Sequence, residues 1–263
     1  MTTMFAKDGP TFFELIHQAL VSTRHGYDLL APKFDLTPFR TPDAILEPAI
    51  NALGPVDSAL DICCGTGAAM RFLIPLCRRE FVGIDFSEGM LEIAKKYLAP
   101  ASSPAPNSAF STHDLSPSTH DSSPSTQDSA PSTSFVHADV LEMSFDSQFD
   151  LAVCFGALGH FDIPDQRNFL RHVRKALKPG GRFAFITAPH PPRFSRVNLV
   201  LRAFNAIMRI RNTLLKPPFI MYYLTFLLPE VEALLKEEGF SVEIRADIFH
   251  APYHRNCLVI ATK

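Results

Sequence analysis

Residues 58–67 read SALDICCGTG, and residues 81–85 read FVGID. The first stretch is an apolar run that breaks at a glycine-containing turn, and the second is an apolar run that ends in an acid, Asp85. A helical pattern lies between them, so the two stretches predict a strand–turn–helix–strand unit. Gly65 and Gly67 let the backbone approach a ligand closely, and Asp85 can accept hydrogen bonds from a ribose diol. The unit therefore predicts a site for an adenosine-type cofactor.

The glycine spacing distinguishes between two classes of cofactor. Dinucleotide enzymes use the pattern G-x-G-x-x-G to seat a pyrophosphate on a helix N-terminus. Here residues 65–70 read GTGAAM, so Met70 replaces the third glycine. Asp61, just before the turn, would repel a pyrophosphate, but it suits a cationic ligand such as the amino group and sulfonium of S-adenosylmethionine.

The same residues resemble the first motif of the class I S-adenosylmethionine-dependent methyltransferases, which is close to L-D-x-G-C-G-T-G. This chain departs from the pattern once, because Cys63 stands in the place of its first glycine. The doubled cysteine also occurs in methyltransferases of the ubiquinone and menaquinone type. The resemblance implies S-adenosylmethionine as the cofactor, and it places Asp61, Cys63, Gly65 and Gly67 in the cofactor site.

Residues 81–96, FVGIDFSEGMLEIAKK, resemble the second motif of this family. The resemblance implies that Asp85 accepts hydrogen bonds from both ribose hydroxyls. Phe86 and Met90 follow in the same segment and are predicted to bind the cofactor as well. An acid at the end of a strand could instead only cap the next helix, but the preceding glycine turn favours the functional role.

Two later segments continue the resemblance. Residues 135–140, FVHADV, match the third segment of the family, where an acid accepts the exocyclic amine of adenine and an apolar neighbour flanks the ring. Asp139 and Val140 fit these two places, although Asp139 could equally form a turn. Residues 149–161 match the fourth strand and the loop beyond it, where ligands lie in open α/β sheets. Phe155 is therefore predicted to face the methionine end of the cofactor.

His160 and Tyr27 are the candidate catalytic residues. His160 is the one titratable side chain in residues 155–161, and its ordinary pKa near neutrality suits a general base for an acceptor O–H or N–H. It could instead pack in the core or cap the following helix. Tyr27 lies in a segment that resembles the N-terminal closing segment of many small-molecule methyltransferases. Its ring would border the transferred methyl group, unless the ring only packs in the core.

Composition limits the class of protein. The chain has 263 residues, 46% of them hydrophobic, and a formal net charge of -2. It can therefore form a sizeable core, and it has no global field that attracts nucleic acid. Its five scattered cysteines favour a reducing compartment, and none of them has zinc-ligand spacing. With neither a signal-peptide pattern nor a bilayer-spanning stretch, the sequence predicts a cytoplasmic protein without a metal site.

Alternating strand and helix patterns predict an α/β fold from residue 58 onward. The predicted strands are 58–63, 80–85, 135–138, 149–155, 182–187, 240–248 and 256–262, with helices between them that include 67–77. Residues 179–181, PGG, are predicted to form the turn before the fifth strand. The resemblance implies a Rossmann-like, three-layer sandwich whose seven-stranded, mostly parallel sheet has the order 3-2-1-4-5-7-6.

Within this scheme, residues 1–57 form an N-terminal helical cap and 58–263 the methyltransferase core. Residues 100–134 repeat a seven-residue unit rich in serine, threonine and proline, which predicts a disordered insert. His113 and His120 in this insert could bind a metal, but a flexible tract is the stronger interpretation.

Residues 189–228 are predicted to form a helical lid. They combine strong apolarity with Arg193, Arg196, Arg202, Arg209, Arg211 and Lys216. One interpretation is a lid with an apolar inner and a basic outer face, which suits a lipid-like acceptor or peripheral contact with an anionic membrane through 193–216. The favoured interpretation is a packed helical cap with a solvated cationic side.

The sequence therefore predicts methyl transfer from S-adenosylmethionine to a small or lipid-like acceptor. A tRNA or other nucleic-acid methyltransferase would use the same core. The acidic balance and the lack of an appended RNA-binding segment argue against it, although the basic 193–216 region keeps it open. A nicotinamide oxidoreductase would need the missing third glycine. A cofactor-binding protein without catalysis stays open, because methyl transfer requires few obligatory side chains.

Overall fold

The structure, a computed structural model, describes residues 5–98 and 130–263. Most of the predicted insert 100–134, including His113 and His120, lies outside the described residues. None of the helices in the two described ranges is long and apolar enough to cross a membrane.

The core of the molecule is one sheet of seven strands. They are β1 (Val56–Ile62), β2 (Cys77–Asp85), β3 (Ser132–His137), β4 (Phe149–Cys154), β5 (Leu177–Thr187), β6 (Ser241–Arg245) and β7 (Cys257–Thr262). The order is β3-β2-β1-β4-β5-β7-β6, which confirms the predicted fold. β1 to β5 are parallel, and β7 is antiparallel to β5 and β6. Strand order reverses between β1 and β4, so a crevice for ligands is expected at their carboxyl ends.

Helices cover both faces of this sheet. They are α1 (Phe12–Leu20), α2 (Thr23–Leu30), α3 (Asp43–Asn51), α4 (Met70–Leu73), α5 (Glu88–Leu98), α6 (Ile163–Ala176), α7 (Arg196–Leu214) and α8 (Glu230–Glu237). Alternate residues of β1 enter two separate cores: Leu60 and Ile62 pack in the core that includes α6 and α8, and Ala59 in the core that includes α3. Burial on both faces explains why the central strands read as continuous apolar runs.

The helix predicted over 67–77 is much shorter in the structure. α4 has four residues and continues as a 3₁₀ turn over Ile74–Leu76. Gly67 has a φ of +86°, which prevents the helix from starting there. Pro75 lacks the backbone N–H that an α-helix would use, so the last turn tightens into a 3₁₀ conformation.

The turn predicted at residues 179–181 is a bulge inside β5. The pairing with β4 shifts register between Phe149 and Leu151, opposite this segment. Gly180 N–H donates to the carbonyl of Lys263, and Lys263 N–H donates to the carbonyl of Gly181. These bonds to the end of β7 keep the segment in the sheet, so β5 begins at Leu177 rather than at 182.

The orientation of α7 differs from the less favoured of the two interpretations, a lid with an apolar inner and a basic outer face. Asn198, Asn205 and Asn212 recur every seven residues on its inner face. Their amide groups bond to backbone atoms of Pro191, Pro192, Phe219 and Tyr223. Within the described part of the chain these segments pair with no strand of the sheet, and asparagine side chains satisfy their backbone groups instead. Much of the apolar surface of α7 consequently faces outward.

Candidate functional site

A pocket of about 770 Å³, including its open mouth, lies at the carboxyl ends of β1, β2 and β4. Its position is typical of a ligand site in an open α/β sheet. The predicted site residues that line it are Tyr27, Asp61, Cys63, Gly65, Asp85, Phe86, Met90, Phe155 and His160. The sequence motifs therefore converge on one place, although they are spread over more than 130 residues.

Three predicted cofactor residues do not line this pocket. Asp139 is exposed, and its carboxylate accepts the backbone N–H of Leu141 at 2.9 Å, which is a turn-forming contact. Val140 is buried in the apolar core. Gly67 shapes the entry to α4, where an added Cβ would lie 3.0 Å from the methyl group of Met70. Cofactor contacts of these three residues stay predictions.

Asp85 lies at the end of β2, and its carboxylate joins β2 to the glycine turn. Gly65 N–H donates to Oδ2 and Ser87 N–H donates to Oδ1, both at 2.9 Å. Burial raises the pKa of Asp85 to about 6, against the effect of these hydrogen bonds. Each carboxylate oxygen can accept a further hydrogen bond. Asp85 can therefore accept the N–H of Ser87 before α5 and still bind a diol.

Asp61 supplies an unpaired buried acid at the end of β1. It is almost fully buried, and its Oδ2 has no hydrogen-bond partner among the described residues. Burial, and next the negative charge of Asp85, raise the pKa of Asp61 to about 8. Burying an unpaired carboxylate costs free energy that a cationic ligand would offset. The residues present therefore fit the sulfonium and amino groups of S-adenosylmethionine.

Cys63 sits in a backbone conformation that explains the glycine of the family motif. Its φ is +55°, in the left-handed region that favours glycine. A hydrogen bond with Cys154, together with burial, raises the pKa of the Cys63 thiol. The thiol is therefore protonated and unsuited to act as a nucleophile.

Tyr27 and His160 form a hydrogen-bonded pair in the pocket. The Tyr27 hydroxyl lies 2.8 Å from His160 Nε2, and His160 Nδ1 lies 2.6 Å from the carbonyl oxygen of Ile220. A carbonyl can only accept, so Nδ1–H donates to Ile220 and the neutral ring accepts the Tyr27 proton at Nε2. Burial lowers the pKa of His160, and burial raises that of Tyr27. Both groups are consequently neutral at pH 7.

The N-terminal segment supplies a pocket wall that the sequence motifs did not predict. Phe34, Phe39, Arg40 and Thr41 line the pocket from the connection between α2 and α3. Arg40 lies 3.6 Å from Asp35, whose carboxylate also accepts the Thr66 hydroxyl of the glycine turn at 2.7 Å. No motif marks these residues. The available signal was an arginine next to an aromatic residue in a segment already expected to cover the site.

A second cavity adjoins the first through Gly156 and His160, which line both. Its other lining residues are Gly159, Ala188, Pro189, Pro191, Val197, Leu201, Met221, Tyr222, Tyr223, Leu224, Thr225, Leu227 and Arg255. Gly156 has a φ of +86°, and a Cβ there would lie 2.5 Å from Thr41 Oγ1. Only glycine fits at this junction. The mainly apolar lining suits an apolar ligand that reaches toward the first pocket.

Comparisons with known proteins agree with this geometry. A family model described as a methyltransferase domain matches residues 60–183. Demethylmenaquinone methyltransferases of Chlamydia pneumoniae and of Staphylococcus aureus (strain JH9) are 24% and 28% identical to this chain. The alignments cover 76% and 72% of this chain and 77% and 70% of those proteins. The solved DhpI–SAM–HEP complex aligns over 94% of this chain and 97% of its own, with a TM-score of 0.59 and 17% identity, which shows a shared fold.

Proposed function

We propose that the chain, which is a class I S-adenosylmethionine-dependent methyltransferase, methylates an O–H or N–H group of a small or lipid-like acceptor. The observation that carries the proposal is the Tyr27–His160 pair. His160 lines both the cofactor pocket and the mainly apolar second cavity, and Tyr27 lines the cofactor pocket beside it. A cofactor on one side and an acceptor on the other would meet at this pair.

The lining of the first pocket supports contacts with three parts of the cofactor. We assign Asp85 to the ribose hydroxyls, Asp61 to the cationic methionine end, and the apolar side chains of Phe86 and Met90 to the adenine ring. When bound, S-adenosylmethionine supplies an electrophilic methyl group on a positively charged sulfur. The chain must then hold the acceptor in line with that group and exclude water, and positioning alone can supply much of the acceleration.

The second cavity favours an apolar acceptor. Its apolar lining includes Val197, Leu201 and Met221. Among its lining residues, Arg255 carries a charge and His160 can titrate. The relatives are named for demethylmenaquinone, and a lipid-like acceptor of this chain agrees with that name. A folded nucleic acid would need a basic, open surface beside the cofactor rather than a recess lined mainly by apolar groups.

The Tyr27–His160 pair can take up the proton that the acceptor loses. An acceptor hydroxyl that donates to the Tyr27 oxygen would pass its proton to that oxygen while the phenol proton moves to His160 Nε2. Tyr27 stays neutral, and His160 becomes an imidazolium whose Nδ1–H still donates to the carbonyl of Ile220. Charge and protons balance without any further group.

Methyl-label transfer tests this function directly. The full chain is incubated with S-adenosylmethionine labelled in its methyl group and with a panel of phenols, hydroquinones and apolar amines, or with total tRNA. We expect S-adenosylhomocysteine to form together with label in the organic phase. Label in tRNA would instead support the nucleic-acid alternative. Cofactor binding without turnover on any acceptor would support a non-catalytic binding protein.

Binding of the cofactor is expected to release a proton from Asp61. In the empty pocket its pKa is about 8, so it is mostly protonated at pH 7, and a cationic ligand lowers that pKa. The affinity should therefore rise with pH between about 6 and 7.5, by up to about tenfold per unit. Calorimetry in buffers of different ionisation enthalpy measures the proton. Asp61→Asn should bind S-adenosylmethionine more weakly and release fewer protons on binding. Proton release equal to that of the wild type would contradict the assignment of Asp61 to the cationic end of the cofactor.

Filling the second cavity is expected to block the acceptor and spare the cofactor. Leu201→Trp places a bulky aromatic ring in the cavity. The control is Val200→Trp, because the side chain of Val200 is exposed to solvent. We expect the first variant to raise KM for the acceptor by about tenfold or more through steric exclusion, with an unchanged Kd for S-adenosylmethionine. Equal KM values for the two variants would place the acceptor elsewhere.

A further inference from the structure

The outer surface of α7 is apolar over most of its length. Its outward residues Leu199, Val200, Ile207, Ile210 and Leu214 are each more than half exposed. At 100° per residue these five positions lie within about 100° of one another around the helix. Isolated apolar residues on a surface are ordinary, but a continuous apolar stripe marks an interaction site.

The adjoining helix α1 extends this surface. Its residues Phe12, Phe13, Ile16 and Leu20 are also exposed. Arg211 of α7 donates to the carbonyl oxygens of Ala19 and Val21 at 2.9 and 3.0 Å, so the C-terminal ends of both helices lie side by side. We call these nine apolar residues of α1 and α7 the docking face.

The charge around the docking face is positive. Residues 166–229 contain no aspartate or glutamate, and within them Arg193, Arg196, Arg202, Arg209 and Lys216 belong to α7 or the segments next to it. The only acid of α1 is Glu14, and Lys33 pairs with it at 2.6 Å. An apolar helix face bordered by arginine and lysine fits the interface of an anionic bilayer, where apolar side chains enter the acyl boundary and cations meet headgroups.

We propose that the docking face binds peripherally to anionic lipid membranes, with α1 and α7 lying in the plane of the interface. A second copy of the chain fits this face less well. In a two-fold dimer the same surface would face itself, and the basic residues of both copies would meet. The inference goes beyond the proposed function and holds whichever acceptor is methylated.

Vesicle sedimentation of the full chain tests the proposal. The probes are vesicles of phosphatidylcholine alone and of phosphatidylcholine with phosphatidylglycerol. We expect binding to the anionic vesicles that weakens with salt. Ile207→Glu combined with Ile210→Glu should reduce the partition coefficient by roughly tenfold or more, because each change removes an exposed apolar side chain that would be buried in the bilayer. Arg196→Gln with Lys216→Gln should weaken binding to anionic vesicles by roughly tenfold.

The matched control is Ile244→Glu on the edge strand β6, an exposed isoleucine outside the docking face. It should bind vesicles as the wild type does. Retained thermal melting temperatures show that all variants are folded, as expected for changes at exposed positions. No binding to anionic vesicles would overturn the proposal, and so would equal binding by the glutamate variant. A dimer in sedimentation velocity that this variant dissociates, without vesicle binding, would assign the face to a second copy.

Discussion

Asp85→Ala is expected to lower the affinity for S-adenosylmethionine by about 100-fold or more. Asp85 is nearly fully buried and lines the pocket, where we propose that it accepts the ribose hydroxyls. Hydrogen bonds to a charged group contribute about 1.5–3 kcal/mol each, so losing two of them accounts for this factor. Calorimetry with S-adenosylmethionine and with S-adenosylhomocysteine measures the loss.

The same substitution is expected to loosen the glycine turn. The N–H groups of Gly65 and Ser87 both donate to Asp85, and alanine would leave both without that acceptor. Each unsatisfied buried group costs about 1–3 kcal/mol, so a lower melting temperature is expected as well. Asp85→Asn keeps the shape and one acceptor, and it separates loss of binding from loss of folding.

Asp57→Ala is the matched control for Asp85→Ala. Asp57 is a partly exposed acid near the start of β1, at the opposite end of the sheet, where Arg78 lies 3.8 Å away. Its removal should leave the cofactor affinity unchanged. If a folded Asp85→Asn protein binds S-adenosylmethionine as tightly as the wild type does, Asp85 does not hold the ribose.

The sheet and the floor of the cofactor pocket could be predicted from the sequence because they depend on local order along the chain. β1, the glycine turn and β2 follow one another within thirty residues, and the buried strands show as apolar runs. The single departure from the family motif, Cys63, keeps the left-handed φ that favours glycine at this position. The backbone conformation is therefore the same, although a small side chain replaces the glycine.

The walls of the site could not be predicted in this way because distant segments form them. Arg40 and Thr41 line the pocket from the connection that follows α2. Their position depends on the packing of α2 against α5, next to which Asp28 accepts the Ser87 hydroxyl at 2.6 Å. The second cavity forms between Val197 and Leu201 of α7 and residues 188–189, which follow β5. Helical periodicity in α7 shows an apolar side and a polar side, but it does not say which one faces the protein. The seven-residue spacing of Asn198, Asn205 and Asn212 was the available signal for the inner face.

The Tyr27–His160 pair depends on three separate parts of the chain. Tyr27 belongs to α2, His160 to the loop after β4, and Ile220 to the segment that returns from α7. The ring of Tyr27 also stacks parallel to Phe219, with centroids 6.4 Å apart. The pair therefore depends on the packing of α2 and of the segment after α7 against the loop after β4. In the proposed function, binding the cofactor and positioning the proton acceptor are tasks of different elements, and mutation should separate them.

Removing either member of this pair is expected to lower kcat by about 100-fold to 1,000-fold while the Kd for S-adenosylmethionine stays unchanged. Tyr27→Phe keeps the ring and its packing but removes the hydroxyl that meets Nε2. His160→Gln removes the proton acceptor. Tyr97→Phe is the matched control, since it removes an exposed hydroxyl that donates to Asp35 at 3.0 Å. The measurement is methyl-label transfer to the acceptor identified with the wild-type protein.

The pH dependence of kcat distinguishes a proton acceptor from a residue that only packs. Burial holds the pKa of His160 below its ordinary value near 6.5, and only the neutral ring can accept a proton. Wild-type activity should therefore persist through neutral pH and fall as the pH drops through that lowered pKa. His160→Gln should lose this acidic limb, and Tyr27→Phe should keep it at a reduced rate. A full kcat in His160→Gln, or an unchanged acidic limb in it, would show that the pair only holds the lid closed.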